Sequence, residues 1–159
     1  MPIHTFANPT TIMRDDLMDS NCIFCKIVAG QIPCHKLYED DRVLACLDLG
    51  PLSVGHALVI PKHHAVTLDE LPSEDAAAIG TVLPRLAKAV SKVTGTEAYN
   101  VLQNNGEPAG QVVMHVHFHL IPKPTPASPG SGLGIGWPAG TLDQDVAADL
   151  VEKITDSLD

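Results

Sequence analysis

The stretch MHVHFHLIP, residues 114–122, places histidine at three alternate positions, 115, 117 and 119. In an extended chain successive side chains point to opposite faces. His115, His117 and His119 therefore share one face, and Val116, Phe118 and Leu120 the other. The apolar side is β-branched and aromatic, and Pro122 closes the run, so the pattern predicts a half-buried strand whose second face is imidazole. What that imidazole row touches decides the function.

Working outward, the loop NGEPAGQ at 105–111 directly precedes the row, and AYNVLQN at 98–104 is a further extended run. Earlier in the chain HKLYED, RVLACLD and HALVIP read as short strands separated by the turn-like DD and GPLSVG. CIFCKIVAG reads as a short helical turn stopped by Gly30. From Ser73 to Gly95 the residues Ile79, Val82, Leu83, Leu86, Val90 and Val93 recur at helical spacing. Ser73 is the expected N-cap, Glu74 and Asp75 fall in the first turn, and Gly95 is the stop. Pro84 lies inside this helix and predicts a kink or two shorter helices. Residues 123–140 are rich in Pro and Gly, and Asp143 to Leu158 carries Val146, Leu150, Ile154 and Leu158 on one helical stripe. About five short antiparallel strands, one long central helix and a C-terminal helix make an α+β fold.

A chain of 159 residues is one ordinary domain. Residues 1–20 are polar and aperiodic and are expected to form a mobile N-terminal arm, with residues 21–159 as the single domain, C-terminal loop and helix included. The formal net charge of −9 opposes a nucleic-acid or membrane-surface partner, so an anionic ligand must be held locally, by backbone N–H groups and histidines. No stretch has the length of an apolar membrane span, and the opening lacks the order of a signal peptide; a cytoplasmic location is expected. Of four cysteines, Cys34 and Cys46 stand among apolar neighbours as small hydrophobes, while Cys22 and Cys25 form a CxxC.

The CxxC lacks the strand–helix context of a thioredoxin-like redox pair, and there is no second CxxC. As half of a structural zinc site it would need two histidines, and PKHH at 61–64 and the histidine row offer them. Side chains two apart on a strand are about 7 Å apart at Cα, so one metal takes one, or at most two, of the row. The remaining histidines face the glycine loop, whose N–H groups can cradle phosphate oxygens. Histidine can attack phosphorus covalently while a second histidine donates a proton or hydrogen bond, which makes a phosphoryl or nucleotidyl transfer site.

With CIFCKIVAGQIP, DDRVLACLDLGPLSVGHALVIPKHH, QNNGEPAGQ and HVHFHLIP in this order, the sequence resembles the histidine triad (HIT) family from Cys22 to about Pro122, with a weaker echo in GLGIGWPAG. The resemblance implies a sheet-and-helix protomer, usually a homodimer whose sheets join, that binds a purine nucleotide and hydrolyses or transfers its α-phosphate. It implies His117 as the nucleophile that forms a nucleotidyl-histidine. His119 would contact phosphate and help the leaving group, and His56 would support the site. Asp48 would hold the ribose hydroxyls, and Asn104, Gly110 and Gln111 the phosphate. In zinc-bearing members the ligands correspond to Cys22, Cys25, His64 and His115. One departure is Val112, where the family often has Ser or Thr.

The substrate is then a purine nucleoside phosphoramidate or a dinucleoside polyphosphate. Other readings are a non-catalytic nucleotide sensor, a nucleotidyltransferase, and a metalloenzyme in which the histidine row holds a catalytic ion. Asp48 also reads as a turn acceptor before Gly50, His56 as a strand-start residue bonded to backbone, and His63 as an exposed neighbour of His64. Trp137 reads either as a local staple or as a residue that reaches the partner subunit's site.

Overall fold

The computed structural model describes residues 18–125, 130–136 and 138–158. Trp137 and most of the proposed N-terminal arm lie outside the described residues. At the end of that arm Met18 packs against the cluster around Cys22, and the Asp19 N–H donates to Cys25 Sγ at 3.4 Å.

The elements are α1 (Ile23–Val28), β1 (Lys36–Glu39), β2 (Val43–Leu47), β3 (Ala57–Pro61), α2 (Ser73–Thr94), β4 (Tyr99–Gln103), β5 (Phe118–Pro122) and α3 (Gln144–Thr155). Five strands form one antiparallel sheet in the order β1-β2-β3-β5-β4. This is the expected α+β architecture.

Strand alternation sorts the sheet into two buried faces. Val43, Ala45, Ala57, Val59 and Leu120 meet Ile79, Val82, Leu86 and Ala87 of α2. On the opposite face Leu44, Cys46, Leu58 and Ile60 pack with Cys22, Phe24 and Cys25 around α1. β2 and β3 are therefore covered on both sides, which explains their near-continuous apolar sequences. One cross-strand row on the α1 face, Cys46, Leu58, His119 and Leu102 in register, carries the sheet's chemistry.

Three local expectations change. The strand holding the histidines begins only at Phe118; His115 and His117 precede it in irregular chain, and both are buried rather than presented on an open face. The helix around Pro84 is a single run, not two. Pro84 and Gly80 lie on its exposed side, so the Gly80 carbonyl that loses its N–H partner can turn to water. Ser73 is the first helical residue and Pro72 the cap, without a side-chain hydrogen bond; the acidic first turn serves Arg42, which pairs with Asp75 at 2.8 Å and Glu74 at 3.1 Å. At the far end Gly95 closes α2 at φ +68° as expected. Val146, Leu150 and Ile154 of α3 are exposed, as is Leu158 beyond its end, and no described helix is long and apolar enough to cross a membrane.

Gly55 sets the entry into β3 and thus the place of His56. Its φ is +86°, and a Cβ there would lie 2.8 Å from Thr94 Cγ2 and 3.1 Å from Val90 Cγ1 of α2. Gly55→Ala is expected to cost about 1–3 kcal/mol through strain and overpacking. Gly50→Ala, which would meet only an ordinary 3.8 Å contact, should change stability by under about 0.5 kcal/mol. Urea denaturation of the two variants checks the contrast.

Candidate active site

Five polar residues from four segments line one cavity of about 500 Å³ on the α1 face: Asp48, His56, Asn104, His117 and His119. Its apolar wall includes Ile23, Phe24 and Ile27 of α1, with Ile32, Leu58 and Leu102. Among the described residues no Lys or Arg lines it.

The hydrogen bonds set the tautomers. His117 Nδ1 donates to the carbonyl of His115 at 2.7 Å, which leaves the lone pair on Nε2. The Leu52 N–H donates to His56 Nδ1 at 3.1 Å, so a neutral His56 carries its proton on Nε2. That Nε2 donates to His119 Nδ1 at 2.9 Å, which puts the His119 proton on its own Nε2. The result is one imidazole with a free lone pair and, at a ring-centroid distance of 4.9 Å, another with a free N–H. Phe24 packs edge-on against His117 at 4.9 Å and holds its plane.

Burial keeps these rings neutral. It lowers His117 below its ordinary value, against the pull of the His115 carbonyl and Asp48. His119 is pushed down to about 4, first by burial and then by His117 and His56 as like charges. His56 is lowered by burial, with Asp48 opposing. Asp48 does two things: Oδ1 accepts from the Gly50 N–H at 2.8 Å, the turn role, and Oδ2 lies 3.4 Å from His56 Nε2 and 3.7 Å from His119 Nδ1. His56 bonds backbone on one nitrogen, as its strand-start reading expects, and His119 on the other.

The glycine loop folds back on itself beside these rings. Asn104 Nδ2 donates to the Gly110 carbonyl at 3.3 Å, and Gly106 and Gly110 take φ of +80° and +90°. Gln111 differs from the other loop residues. Its side chain is buried, accepting from the Gly106 N–H at 2.7 Å and donating to the carbonyls of Val66 at 2.7 Å and Val113 at 3.1 Å. It staples the loop from inside, and the side chain has no bond left to reach out with. Val112 is exposed beside it, and among the described residues its N–H has no acceptor.

Behind the cavity the second predicted group assembles. Cys22, Cys25, His64 and His115 bring four ligand atoms within 4.8 Å of one another. Cys22 Sγ is 3.3 Å and Cys25 Sγ 3.6 Å from His115 Nδ1; Cys25 Sγ is 3.4 Å and His115 Nδ1 3.2 Å from His64 Nδ1. A tetrahedral ion with bonds of about 2.0–2.3 Å has donor-to-donor edges of about 3.3–3.8 Å, so this spacing suits one metal ion. His115 Nε2 donates to the Pro61 carbonyl at 2.9 Å, which turns its Nδ1 lone pair toward the two sulfurs. His117 is not in this group. His63 stays outside too, half-buried with Nδ1 3.7 Å from Asp75 Oδ2 rather than freely exposed.

The supporting groups not foreseen from sequence are mostly backbone: the Leu52 N–H and the carbonyls of His115 and Pro61. Such groups leave no trace in residue identity. Phe24, within the CIFC turn, is the exception; its place between the two cysteines was the available signal.

An adenosine 5′-monophosphoramidase of Schizosaccharomyces pombe is 52% identical over 138 residues, covering 87% of this chain and 98% of the relative. The crystal structure of a histidine triad nucleotide-binding protein from Candida albicans superposes with a TM-score of 0.77 at 44% identity, covering 86% of this chain and 96% of that one. A zinc-bound histidine triad family protein from Mycobacterium smegmatis gives 0.64 at 38% identity, covering 68% and 78%. The HIT domain model matches residues 29–125, which include the five polar cavity residues and the histidine row. With that match and those relatives, this chain belongs to the HIT domain family.

Proposed function

We propose that this protein is a purine nucleotide hydrolase that acts at the α-phosphate through a nucleotidyl-histidine intermediate, with a nucleoside phosphoramidate as its substrate. One observation carries the reading: His117 gives its only proton to a buried carbonyl and so offers Nε2 as a nucleophile. Nε2 attacks phosphorus; the P–N(His117) bond forms and the bond to the leaving amine breaks. His119, whose proton is on Nε2, donates to the phosphoryl group and the departing amine. Water then attacks phosphorus and releases the nucleoside monophosphate and free His117. His56 acts through His119, holding its tautomer. Asp48 takes the ribose hydroxyls on the free side of its carboxylate. Asn104 and the Gly110 segment hold phosphate oxygens, the Val112 N–H supplies a donor where the side chain has none, and Gln111 keeps that loop in shape.

The cavity wall favours the phosphoramidate over a dinucleoside polyphosphate. A polyphosphate leaving group brings several further negative charges, and the lining offers Asp48 but no cation to meet them. The S. pombe relative, an adenosine 5′-monophosphoramidase, agrees with this preference. Cys22, Cys25, His64 and His115 would hold a structural Zn²⁺, which when bound supplies a rigid cross-link between α1, the segment after β3 and the histidine row, with all four positions closed to substrate. The homodimer is supported by the open outer edge of β4, where Tyr99 and Val101 are about half exposed.

His117→Ala should reduce hydrolysis of adenosine 5′-phosphoramidate by at least about a thousandfold while AMP still binds. Unchanged turnover would overturn the nucleophile. Because burial lowers His117, Nε2 stays unprotonated through neutral pH, and activity is lost only as pH falls through that lowered value. The acid limb of kcat/KM should therefore lie below the ordinary histidine value of 6.5. Cys22→Ser should lower zinc content and thermal stability; full zinc by elemental analysis would sink the metal site. Val101→Lys at the sheet edge should convert a dimer to monomer in light scattering, whereas an unchanged mass would exclude that edge.

A further inference from the structure

Cys34 and Cys46 take no part in the chemistry above, yet both line the nucleotide cavity. Cys46 is buried on β2, in the same cross-strand row as Leu58 and His119. Cys34 is half-buried, precedes β1 and packs against the same apolar cluster. Lys36 stands opposite Cys46, and the Leu47 N–H donates to the His35 carbonyl at 2.9 Å. Cys34 lies just before the end of the β1–β2 ladder, in the same apolar cluster and the same cavity wall as Cys46. Burial, with Cys34 adding to it, pushes the Cys46 thiol up to about 12. The two form a pair separate from Cys22 and Cys25, which face His64 and His115.

We propose that Cys34 and Cys46 are a redox-sensitive dithiol site in the wall of the nucleoside cavity, which a hydroperoxide closes to a disulfide when no nucleotide is bound. The competition with nucleotide rests on the reading of this cavity given above; the cross-link itself does not. Cys34, the more accessible of the two, reacts first. Its sulfur attacks the peroxide, the S–O bond forms and the O–O bond breaks, leaving a sulfenic acid and one water. Cys46 sulfur then attacks Cys34 sulfur: the S–S bond forms, the S–O bond breaks, and the departing hydroxide leaves as water with the Cys46 proton. Two thiols and one hydrogen peroxide give one disulfide and two waters, and a thiol reductant reverses the change. A thiol as hard to ionise as Cys46 is a poor first attacker. Here it needs only to hand its proton to the leaving hydroxide, beside a partner in the same cavity wall.

The test uses the full chain with its metal bound. AMP binding to the reduced protein is measured first by calorimetry. The protein is then treated with hydrogen peroxide, with and without AMP at ten times its Kd, and non-reduced peptides are mapped by mass spectrometry. The expected result is a peptide linking Cys34 to Cys46, formed about tenfold more slowly with AMP present. Because the disulfide reshapes the cavity wall, the cross-linked protein should also bind AMP at least about fivefold more weakly than the reduced protein. Cys34→Ser should give no link and leave Cys46 a thiol. Cys34 and Cys46 both reduced after Cys22 and Cys25 have oxidised would overturn the proposal, as would a link that forms equally fast under AMP. Failure of AMP to bind the reduced protein would instead remove the nucleotide reading, and the peptide map would still decide the dithiol.

Discussion

The site depends on one buried residue, His115, whose two ends serve two centres. Its imidazole belongs to the Cys22, Cys25 and His64 cluster, with Nε2 tied to the Pro61 carbonyl. Its backbone carbonyl accepts the proton of His117 Nδ1. Whatever holds the His115 ring therefore also holds the carbonyl that sets the tautomer of His117. Loss of the cluster would loosen the nucleophile without touching it, by letting the acceptor of a 2.7 Å hydrogen bond drift. The cost of such drift is steep, because a reacting atom displaced by about 1 Å can lose a hundredfold in rate.

The sheet supplies the other half of the arrangement. His119 is held in register between Leu58 and Leu102, and Leu58 pairs in turn with Cys46, so its position is a property of strand pairing. His56 reaches it from the start of β3, where the Gly55 turn lies against α2. The donor chain from the Leu52 N–H through His56 to His119 is thus built from parts that the core must align anyway. Its direction follows from a single fact, that a backbone amide can only donate.

Much of this was legible in the sequence, for identifiable reasons. Two-residue alternation and helical spacing report burial, and burial is what organises the sheet and α2, so the element order followed from pattern, while the members of the two polar clusters were named through the resemblance to the HIT family. Pro84 misled because pattern cannot say which side of a helix is wet; its orphaned carbonyl lies on the exposed side. Ser73 misled by one position because its neighbours' carboxylates are used by Arg42. The histidine row was read as one strand face, but His115 and His117 precede the strand. Each ring is placed by a carbonyl, and carbonyls are the same in every residue. The resemblance implied a phosphate contact for Gln111, whereas three hydrogen bonds turn its side chain inward.

A chain with net charge −9 binding an anion needs an explanation beyond charge. The lining contains no Lys or Arg among the described residues, and burial holds the three active-site histidines neutral. Under the proposed function, phosphate recognition consists of hydrogen-bond donors with fixed directions: a histidine Nε2–H, an asparagine amide and the backbone of a glycine loop. Such donors match a phosphoryl group whose charge shifts little in number but much in position during transfer. Cations would add affinity for polyanions of every kind. Neutral donors at fixed angles favour a single phosphoryl centre beside an uncharged leaving group, so under the proposed function the same few residues would serve both the chemistry and the choice of substrate.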